Sequence, residues 1–276
     1  MSGADDTLPI LLEAIGLTRR FGALLAVDEV DLGVRTGEVR ALIGPNGAGK
    51  STLVAMLVGR LAATRGRVRF DGHDVTELDP AARVRLGMGY TFQITEVFPD
   101  LDVRENVAVG LPRQLAGSAR ERAIDETLAR FDLERFGARR AGELSYGHRR
   151  LLELATVMGA KPRLLMLDEP TQGLSDEEIE RFVEIVRELA GRRTLLLIEH
   201  NMDVVMALAT RVSVLHEGRL IAEGTPAEIR ADAAVQSAYL GASPDEADAG
   251  PDEAPDGSRD EPRDGSPGTP PSGGSS

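Results

Sequence analysis

The sequence has no cysteine, very little lysine and no long hydrophobic run. Without cysteine, a disulfide framework and a thiolate metal site are both excluded, and the four scattered histidines show no ligand spacing. The apolar runs at residues 164–167 and 195–198 are far shorter than the roughly 18 residues of a membrane helix. Asp5 and Asp6 lie where a secretory signal would be basic, so no such signal is predicted. We therefore expect a cytosolic protein that meets a membrane only through a partner.

Positive charge in this chain of 276 residues comes almost entirely from arginine, and the formal net charge is −13. Lys50 and Lys161 are the only lysines. We predict no nucleic-acid partner, because binding to a phosphate backbone needs a basic face. A high-salt cytoplasm and GC-rich coding would both produce an acidic, lysine-poor composition, and both explanations stay open.

The negative charge is concentrated at the C-terminus. From residue 243 onward nine acidic residues stand against Arg259 and Arg263, so this segment carries seven of the thirteen excess negative charges. Residues 242–276 are mostly Ser, Pro, Gly, Asp and Glu, with no large apolar residue. Because such a segment buries too little apolar surface to fold, we predict a disordered acidic tail.

Residues 44–52 read GPNGAGKST and fit the pattern G-x-x-x-x-G-K-[ST] at every fixed position. An apolar run precedes them and helix formers follow, which predicts a strand, a tight turn and a helix. Gly44, Gly47 and Gly49 let the backbone curl so that its N–H groups point inward, and the helix N-terminus adds a positive field. This arrangement is typical of a polyphosphate site, and a chance glycine-rich turn is the less favoured alternative.

The side chains that follow this turn have predicted roles at the phosphates. Lys50 is expected to reach the β- and γ-phosphates, Ser51 to offer its hydroxyl to Mg²⁺, and Thr52 to hold a phosphate oxygen. The residues predicted to cradle the nucleotide are Gly44, Pro45, Asn46, Gly47, Ala48, Gly49, Lys50, Ser51 and Thr52.

Two kinds of strand are predicted from the apolar pattern. Residues 10–15 and 27–34 alternate apolar and polar side chains, as antiparallel strands with one solvated face do, and Phe21 falls in the loop between them. Residues 164–167 and 194–198 suit parallel strands covered on both faces. Further strands are predicted at residues 67–70, 88–92, 212–215 and 219–222, the last two around a hairpin turn at Glu217 and Gly218.

Capping signals mark the predicted helix starts, since a side-chain oxygen there accepts a hydrogen bond from an early backbone N–H. Ser118 with Glu121, and Ser175 with Glu178, have the spacing of capping boxes. Other helices are predicted to start at Asp79, Ser145 and Thr225 and to end near Leu86, Met158 and Leu240.

The predicted fold class is α/β. Buried strands that alternate with amphipathic helices predict a parallel sheet with right-handed crossovers. With the phosphate loop at residues 44–52, this sheet is predicted to be a P-loop NTPase core. A small antiparallel β subdomain flanks this core, and an α-helical subdomain is inserted at about residues 100–160. We expect one domain over residues 8–241, followed by the tail.

Three polar residues follow the two buried strands, at the edge where ligands of open α/β sheets bind. Asp168 is predicted to bind Mg²⁺ through water, and Glu169 to polarise the water that attacks the γ-phosphate. A buried acidic pair is costly unless a cation or a reaction needs it, which disfavours a purely structural role. His200 is placed to contact the γ-phosphate, although a lone histidine at a strand end is often structural.

The order of these motifs resembles the ATP-binding subunits of ATP-binding cassette (ABC) transporters over about residues 10–241. The Walker A motif is residues 44–52, the signature LSYGH is residues 144–148, and the Walker B motif LLMLDE is residues 164–169. The resemblance implies that Gln93 is the Q-loop glutamine, which serves catalysis and contacts Mg²⁺. It also implies that His200 is the switch histidine and that Phe21 stacks on adenine.

In that family two subunits pair head to tail, and the signature of one closes over ATP held by the other. Ser145 and Gly147 would therefore act across a homodimer or a heterodimer with a related subunit. Three positions depart from the commonest pattern: Tyr146 replaces glycine, His148 replaces glutamine, and Ser175 stands where aspartate is frequent. These changes are interpreted as subfamily variation at the contact across the dimer.

Longer segments look most like subunits of importers for branched-chain amino acids. Two of them are TFQITEVFPDLDVRENV and IEHNMDVVMALATRVSVLHEGRLIAEGTPAEI. The resemblance implies an ATPase at the cytoplasmic face of the membrane. It also implies transmembrane permease partners and, indirectly, an extracytoplasmic substrate-binding protein.

Other classes of protein share some of these motifs. Urea importers and lipid or lipopolysaccharide exporters have similar ATPase subunits. Cassette ATPases that act on ribosomes or in DNA repair usually carry two cassettes or a long coiled coil, and this chain shows neither. A P-loop kinase or GTPase would explain residues 44–52, but not the signature, Gln93 and His200 together.

Overall fold

The structure, a computed structural model, describes residues 8–91 and 96–240. The strands are β1 (Ile10–Phe21), β2 (Leu24–Arg35), β3 (Val39–Ile43), β4 (Arg65–Phe70), β5 (His73–Asp74), β6 (Met88–Thr91), β7 (Leu164–Asp168), β8 (Thr194–Ile198), β9 (Arg211–His216) and β10 (Arg219–Gly224). The helices are α1 (Lys50–Leu57), α2 (Pro80–Leu86), α3 (Val103–Gly110), α4 (Gly117–Arg130), α5 (Tyr146–Gly159), α6 (Asp176–Ala190), α7 (Met202–Leu208), α8 (Pro226–Ala231) and α9 (Ala233–Leu240).

A six-stranded sheet with the order β10-β9-β3-β8-β7-β6 forms the centre of the fold. The strands from β9 to β6 are parallel, and β10 is antiparallel to β9. Every residue of β3, β7 and β8 is buried, because helices and a second sheet cover both faces. The predicted α/β core and its edge hairpin are confirmed.

Alternate residues of β7 pack into two different cores. Leu165 and Leu167 belong to a cluster with the helices α3 to α6, whereas Leu164 and Met166 pack with α1 and the strands β1 and β2. This alternation follows from the pleat of a strand, which points successive side chains to opposite faces. Two layers of apolar side chains therefore hold the central sheet.

The second sheet is antiparallel and has the order β2-β1-β4-β5. The predicted pairing of its first two strands is confirmed, although β1 and β2 are both longer than the alternating runs indicate. Phe21 was predicted to lie in the loop between them, but it is the last residue of β1 and pairs with Leu24. The hairpin turn is tighter than predicted because Gly22 takes a left-handed conformation (φ 56°).

Most of the predicted helix caps form. Asp79 accepts a bond from the Ala82 N–H, Ser145 caps α5, and capping boxes start α6 at Ser175 and α8 at Thr225. In the part of the chain that is described, no helix combines the length and the apolar character needed to cross a bilayer.

Two helix predictions were wrong. The helix α4 starts at Gly117 without a side-chain cap, so Ser118 lies inside it, and Glu121 is engaged instead by Arg104 of α3 at 2.8 Å. The last helix is two helices, because the Asp232 carboxylate accepts bonds from the N–H groups of Ala234 and Val235 and starts α9. The first error arose where a local capping pattern met a competing side chain, and the second where an internal aspartate started a new helix.

The carboxyl ends of β3, β7 and β8 meet at one edge of the sheet. Asp168 pairs with Ile198, which in turn pairs with Leu42. The segments that begin at Gly44, Glu169 and Glu199 therefore leave the sheet side by side. The predicted tail from residue 242 lies outside the described residues, and so does Gln93.

Candidate functional site

The glycine-rich loop between β3 and α1 is wedged against neighbouring backbone. A Cβ atom on Gly44 would overlap the carbonyl oxygen of Leu215, and one on Gly49 would overlap the carbonyl oxygen of Ala26. Gly49 is also the N-cap of α1, in a left-handed conformation with φ 100°. These glycines are therefore required by packing as well as by the phosphate geometry that the sequence predicts.

We expect Gly49→Ala to lower the free energy of unfolding by about 3 kcal/mol or more, because the new Cβ meets fixed backbone and the left-handed conformation is strained. Gly47→Ala is the matched control: Gly47 has φ 77° but no atom within 4 Å of a built Cβ, so only the conformational cost of about 1–2 kcal/mol is expected. Equilibrium urea unfolding measures both. Equal losses of unfolding free energy in the two variants would contradict the close packing of Gly49 against the backbone of Ala26.

Lys50 is folded back onto its own loop. Its Nζ donates to the carbonyl oxygens of Gly44 at 2.7 Å and Pro45 at 3.0 Å, and the residue is only 6% exposed. Burial lowers the pKa of Lys50, while the carboxylates of Glu169 and Asp168 oppose this effect. The ammonium group thus lies in the loop that the sequence predicts as a phosphate cradle.

The other cradle side chains differ in exposure. Asn46 and Ser51 are exposed, and Thr52 is half-buried at the start of α1. Phe21, which is predicted to stack on adenine, is 43% exposed. The Arg19 guanidinium lies 4.5 Å from the centre of its ring. That ring is therefore a surface group that already stacks with a planar cation.

Asp168 is buried at the end of β7, and the Tyr90 hydroxyl of β6 donates to its Oδ2 at 2.8 Å. Burial raises the pKa of Asp168, with a further increase from Glu169, while the hydrogen bond from Tyr90 and the charges of Arg150 and Lys50 lower it. Burial and the same carboxylate also raise the pKa of Tyr90. The sequence analysis did not single out Tyr90.

Glu169 follows β7 directly and has a left-handed backbone with φ 43°. Its N–H donates to the Ile198 carbonyl at 2.9 Å, which continues the parallel ladder by one residue. The guanidinium of Arg150, a residue only 2% exposed on α5, donates to the carbonyl oxygens of Asp168, Glu169 and Pro170. The segment that carries Glu169 is therefore held by both β8 and α5.

His200 lies one strand away from Glu169, just beyond β8. Its side chain is exposed, and its backbone N–H donates to the Glu199 carboxylate at 2.9 Å. Asn201 then caps α7 through two backbone N–H groups. The structure thus brings the Walker A loop, the acidic pair and this histidine to the same edge of the sheet.

The signature residues lie at the start of α5. The Ser145 Oγ accepts a bond from the His148 N–H at 3.3 Å and lies 2.7 Å from its Nδ1. A Cβ atom on Gly147 would overlap the Glu178 carboxylate of α6, so a larger residue there would require that side chain to move. Within the described residues, no hydrogen bond joins Ser145 or Gly147 to residues 44–52.

Burial lowers the pKa of His148, and the nearby Arg135 lowers it further, while Glu178 opposes both. When the folded pKa of a histidine is lowered, its contribution to stability is complete above the unfolded pKa of about 6.5 and is lost as the pH falls from there through the folded pKa. We therefore expect the stability of the protein to drop more steeply below pH 6.5 than that of the His148→Gln variant. Thermal unfolding at several pH values measures this, and identical pH profiles would contradict it.

The fold and this loop define a P-loop protein that binds nucleoside triphosphates, and the comparisons with known proteins narrow the class. A family model described as ABC transporter matches residues 27–172, and one described as branched-chain amino acid ATP-binding cassette transporter matches residues 219–245. The chain therefore belongs to the ABC transporter family, as an ATP-binding cassette. It binds ATP and is an ATPase, as is characteristic of these cassettes.

The chain is similar to two curated transport proteins along nearly their whole length. The high-affinity branched-chain amino acid transport ATP-binding protein BraF of Pseudomonas aeruginosa is 39% identical over 249 residues, which cover 84% of this chain and 98% of that protein. The protein LivG of Salmonella typhimurium, which has the same description, is 40% identical with the same coverage.

Among solved structures, the ADP conformation of the ATP-binding cassette MJ1267 aligns with a TM-score of 0.76 and 29% identity, covering 85% of this chain and all of that one. A nucleotide-free cassette from an ABC transporter aligns with a TM-score of 0.75 and 29% identity, over 84% of this chain and 99% of that one. These likenesses confirm the predicted fold class.

Proposed function

We propose that the chain is the ATP-hydrolysing subunit of an importer for branched-chain amino acids. The observation that carries the substrate class is the similarity to BraF and LivG over 98% of their length, and a family model for branched-chain amino acid cassettes also matches residues 219–245. On this proposal the chain lies at the cytoplasmic face of the membrane, bound to permease subunits, with an extracytoplasmic binding protein on the other side.

On this proposal the site residues take the following roles. ATP would enter the loop of residues 44–52, where Lys50 exchanges its bonds to the loop carbonyls for bonds to the β- and γ-phosphates. Phe21, at the exposed end of β1, would stack on the adenine. The remaining backbone N–H groups of the loop and the N-terminus of α1 would stabilise the phosphate charge.

Ser51 and Asp168 offer oxygen donors of the kind that suits a magnesium ion arriving with the nucleotide. Among the described residues there is no group of three or more acidic or histidine side chains that could hold a metal. Mg²⁺ commonly uses one or two protein ligands together with substrate phosphates and waters. Ser51, Asp168 and Gln93 would hold it, and when bound it would neutralise charge on the β- and γ-phosphates.

Glu169 would hold and polarise the attacking water, and His200 would contact the γ-phosphate from the neighbouring strand end. The exposed face of the nucleotide would be covered by Ser145 and Gly147 of a second cassette, either a copy of this chain or a related subunit. The lack of hydrogen bonds between the signature and residues 44–52 within the described part of one chain supports this arrangement.

Uptake measurements in the source organism test the transport proposal. Disruption of the gene should reduce uptake of labelled leucine, isoleucine and valine to background and leave urea uptake unchanged. A plasmid copy should restore uptake, and so should the Lys161→Ala variant, whereas Lys50→Ala should not. Loss of urea uptake alone would favour the urea importer, and unchanged uptake of all four compounds with altered lipid export would favour the exporter.

A further inference from the structure

The side chain of Glu199 lies wholly inside the protein, between the two segments that carry Glu169 and His200. The residue is 0% exposed. Its Oε1 accepts a bond from the Thr171 N–H at 3.2 Å and a short bond from the Thr171 hydroxyl. Its Oε2 accepts bonds from the N–H groups of His200 at 2.9 Å and Asn201 at 3.0 Å. One carboxylate is thus shared by both segments.

This arrangement is costly unless the fold needs it. A carboxylate without solvent loses several kcal/mol of hydration, which hydrogen bonds or an opposite charge must offset. Among the described residues, no lysine or arginine forms an ion pair with Glu199, and the imidazole of His200 is 3.9 Å away. Four hydrogen bonds from two segments therefore replace the lost hydration.

The position of Glu199 explains what those bonds do. Thr171 lies two residues after Glu169, in the segment whose carbonyl groups accept bonds from Arg150. His200 follows Glu199 directly. Each carboxylate oxygen binds one of the two segments, so the carboxylate links them beyond the last ladder bond, which runs from the Glu169 N–H to the Ile198 carbonyl.

We propose that Glu199 is a positioning residue that fixes the spacing between Glu169 and His200 without touching the nucleotide. The inference rests on the proposed roles of those two residues. Correct placement of a catalytic group matters because an error of about 1 Å can cost about 10²-fold in rate. Glu199 would accordingly support kcat and contribute nothing to ATP binding.

We expect Glu199→Gln to loosen one of the two segments more than the other, because an amide has one donor group and one acceptor oxygen. If the new amide group faced His200 and Asn201, two N–H groups would lose their acceptor. If it faced Thr171, the threonine hydroxyl could accept a bond from the amide, and only the Thr171 N–H would be orphaned. The second orientation loses fewer bonds, so the substitution should loosen the segment of Glu169 and leave that of His200 in place.

The experiment compares full-length variants for kcat, KM for ATP, thermal stability and amide hydrogen exchange. For Glu199→Gln we expect kcat to fall about 10- to 100-fold with KM unchanged. We also expect faster exchange at residues 169–174 and unchanged exchange at residues 200–204. Thr171→Ser keeps the hydroxyl and should retain the wild-type kcat, whereas Thr171→Val should lower it.

Glu38→Gln is the matched control, because Glu38 is a second buried glutamate, near the start of β3 and remote from the site edge. It should lower thermal stability and leave kcat unchanged. A wild-type kcat for Glu199→Gln would overturn the inference. If Glu38→Gln lowered kcat as much as Glu199→Gln does, the loss of rate would reflect weakened packing alone, and the inference would be overturned too.

A further variant separates this inference from the proposed function. If Glu169→Gln is inactive and Glu199→Gln turns over normally, only the role of Glu199 is wrong. If Glu169→Gln itself turns over normally, the proposed catalytic site is wrong and the inference fails with it.

Discussion

Replacing Glu169 with glutamine is expected to stop ATP turnover while ATP remains bound. The amide keeps the size and most hydrogen bonds of the carboxylate but loses the negative charge that polarises the attacking water. We expect kcat to fall by about 10²- to 10⁴-fold, the usual contribution of a general base. The binding groups, above all the Lys50 loop and Asp168, are unchanged, so affinity for ATP should persist.

Uncleaved ATP should then hold two cassettes together. With Mg²⁺-ATP the Glu169→Gln variant should elute from size exclusion at twice the monomer mass, and with ADP it should elute as a monomer. Glu184→Gln, an exposed substitution on α6, is the control and should behave as the wild type. Turnover of Glu169→Gln at the wild-type rate would show that another group activates the water.

Replacing Lys50 with alanine is expected to weaken ATP binding by about 100-fold or more. The ammonium group supplies charge-assisted hydrogen bonds to two phosphates, and each such bond contributes about 1.5–3 kcal/mol. The only other lysine in the sequence is Lys161, an exposed residue beyond the end of α5. No second ammonium group can therefore take over in the loop.

Lys161→Ala provides the matched control, because it removes the same charge and keeps the loop. Titration with a fluorescent ATP analogue should give wild-type affinity for Lys161→Ala and strongly reduced affinity for Lys50→Ala. Circular dichroism should show the same fold for both. Equal affinities in the two variants would contradict the assignment of the phosphate loop.

The parts of the fold that were predicted correctly depend on short stretches of sequence. The strand at Leu164–Asp168 is marked by its own apolar run, and the caps at Ser145 and Ser175 are marked by side chains within one turn of the helices they start. The cradle around Lys50 is likewise a single uninterrupted motif. Such features need no knowledge of which strands are neighbours.

The contacts that were missed join residues far apart in the chain. Tyr90 donates to a carboxylate 78 positions away, and Thr171 donates to one 28 positions away. Both bonds exist because the parallel register of β6, β7 and β8 aligns their carboxyl ends. Periodicity predicts that these strands exist, but it does not give their order in the sheet, so these partners could not be inferred.

The wrong cap at Ser118 has the same origin. A capping box requires that its glutamate be free to reach back, and in the structure Glu121 is bound by Arg104, 17 positions away on α3. A contact between helices therefore replaced a local one. The similar pattern at Ser175 formed because Glu178 does reach back to the Ser175 N–H.

We propose that ATP is hydrolysed between two cassettes, with Ser145 and Gly147 of one completing the site of the other. The most direct test is the turnover rate per subunit as a function of protein concentration, with the oligomeric state determined in the same samples by analytical ultracentrifugation. For a site shared between two cassettes, we expect the rate per subunit to rise steeply with concentration, in step with the fraction of dimer. A high rate that stays constant on dilution, in samples shown to be monomeric, would contradict it.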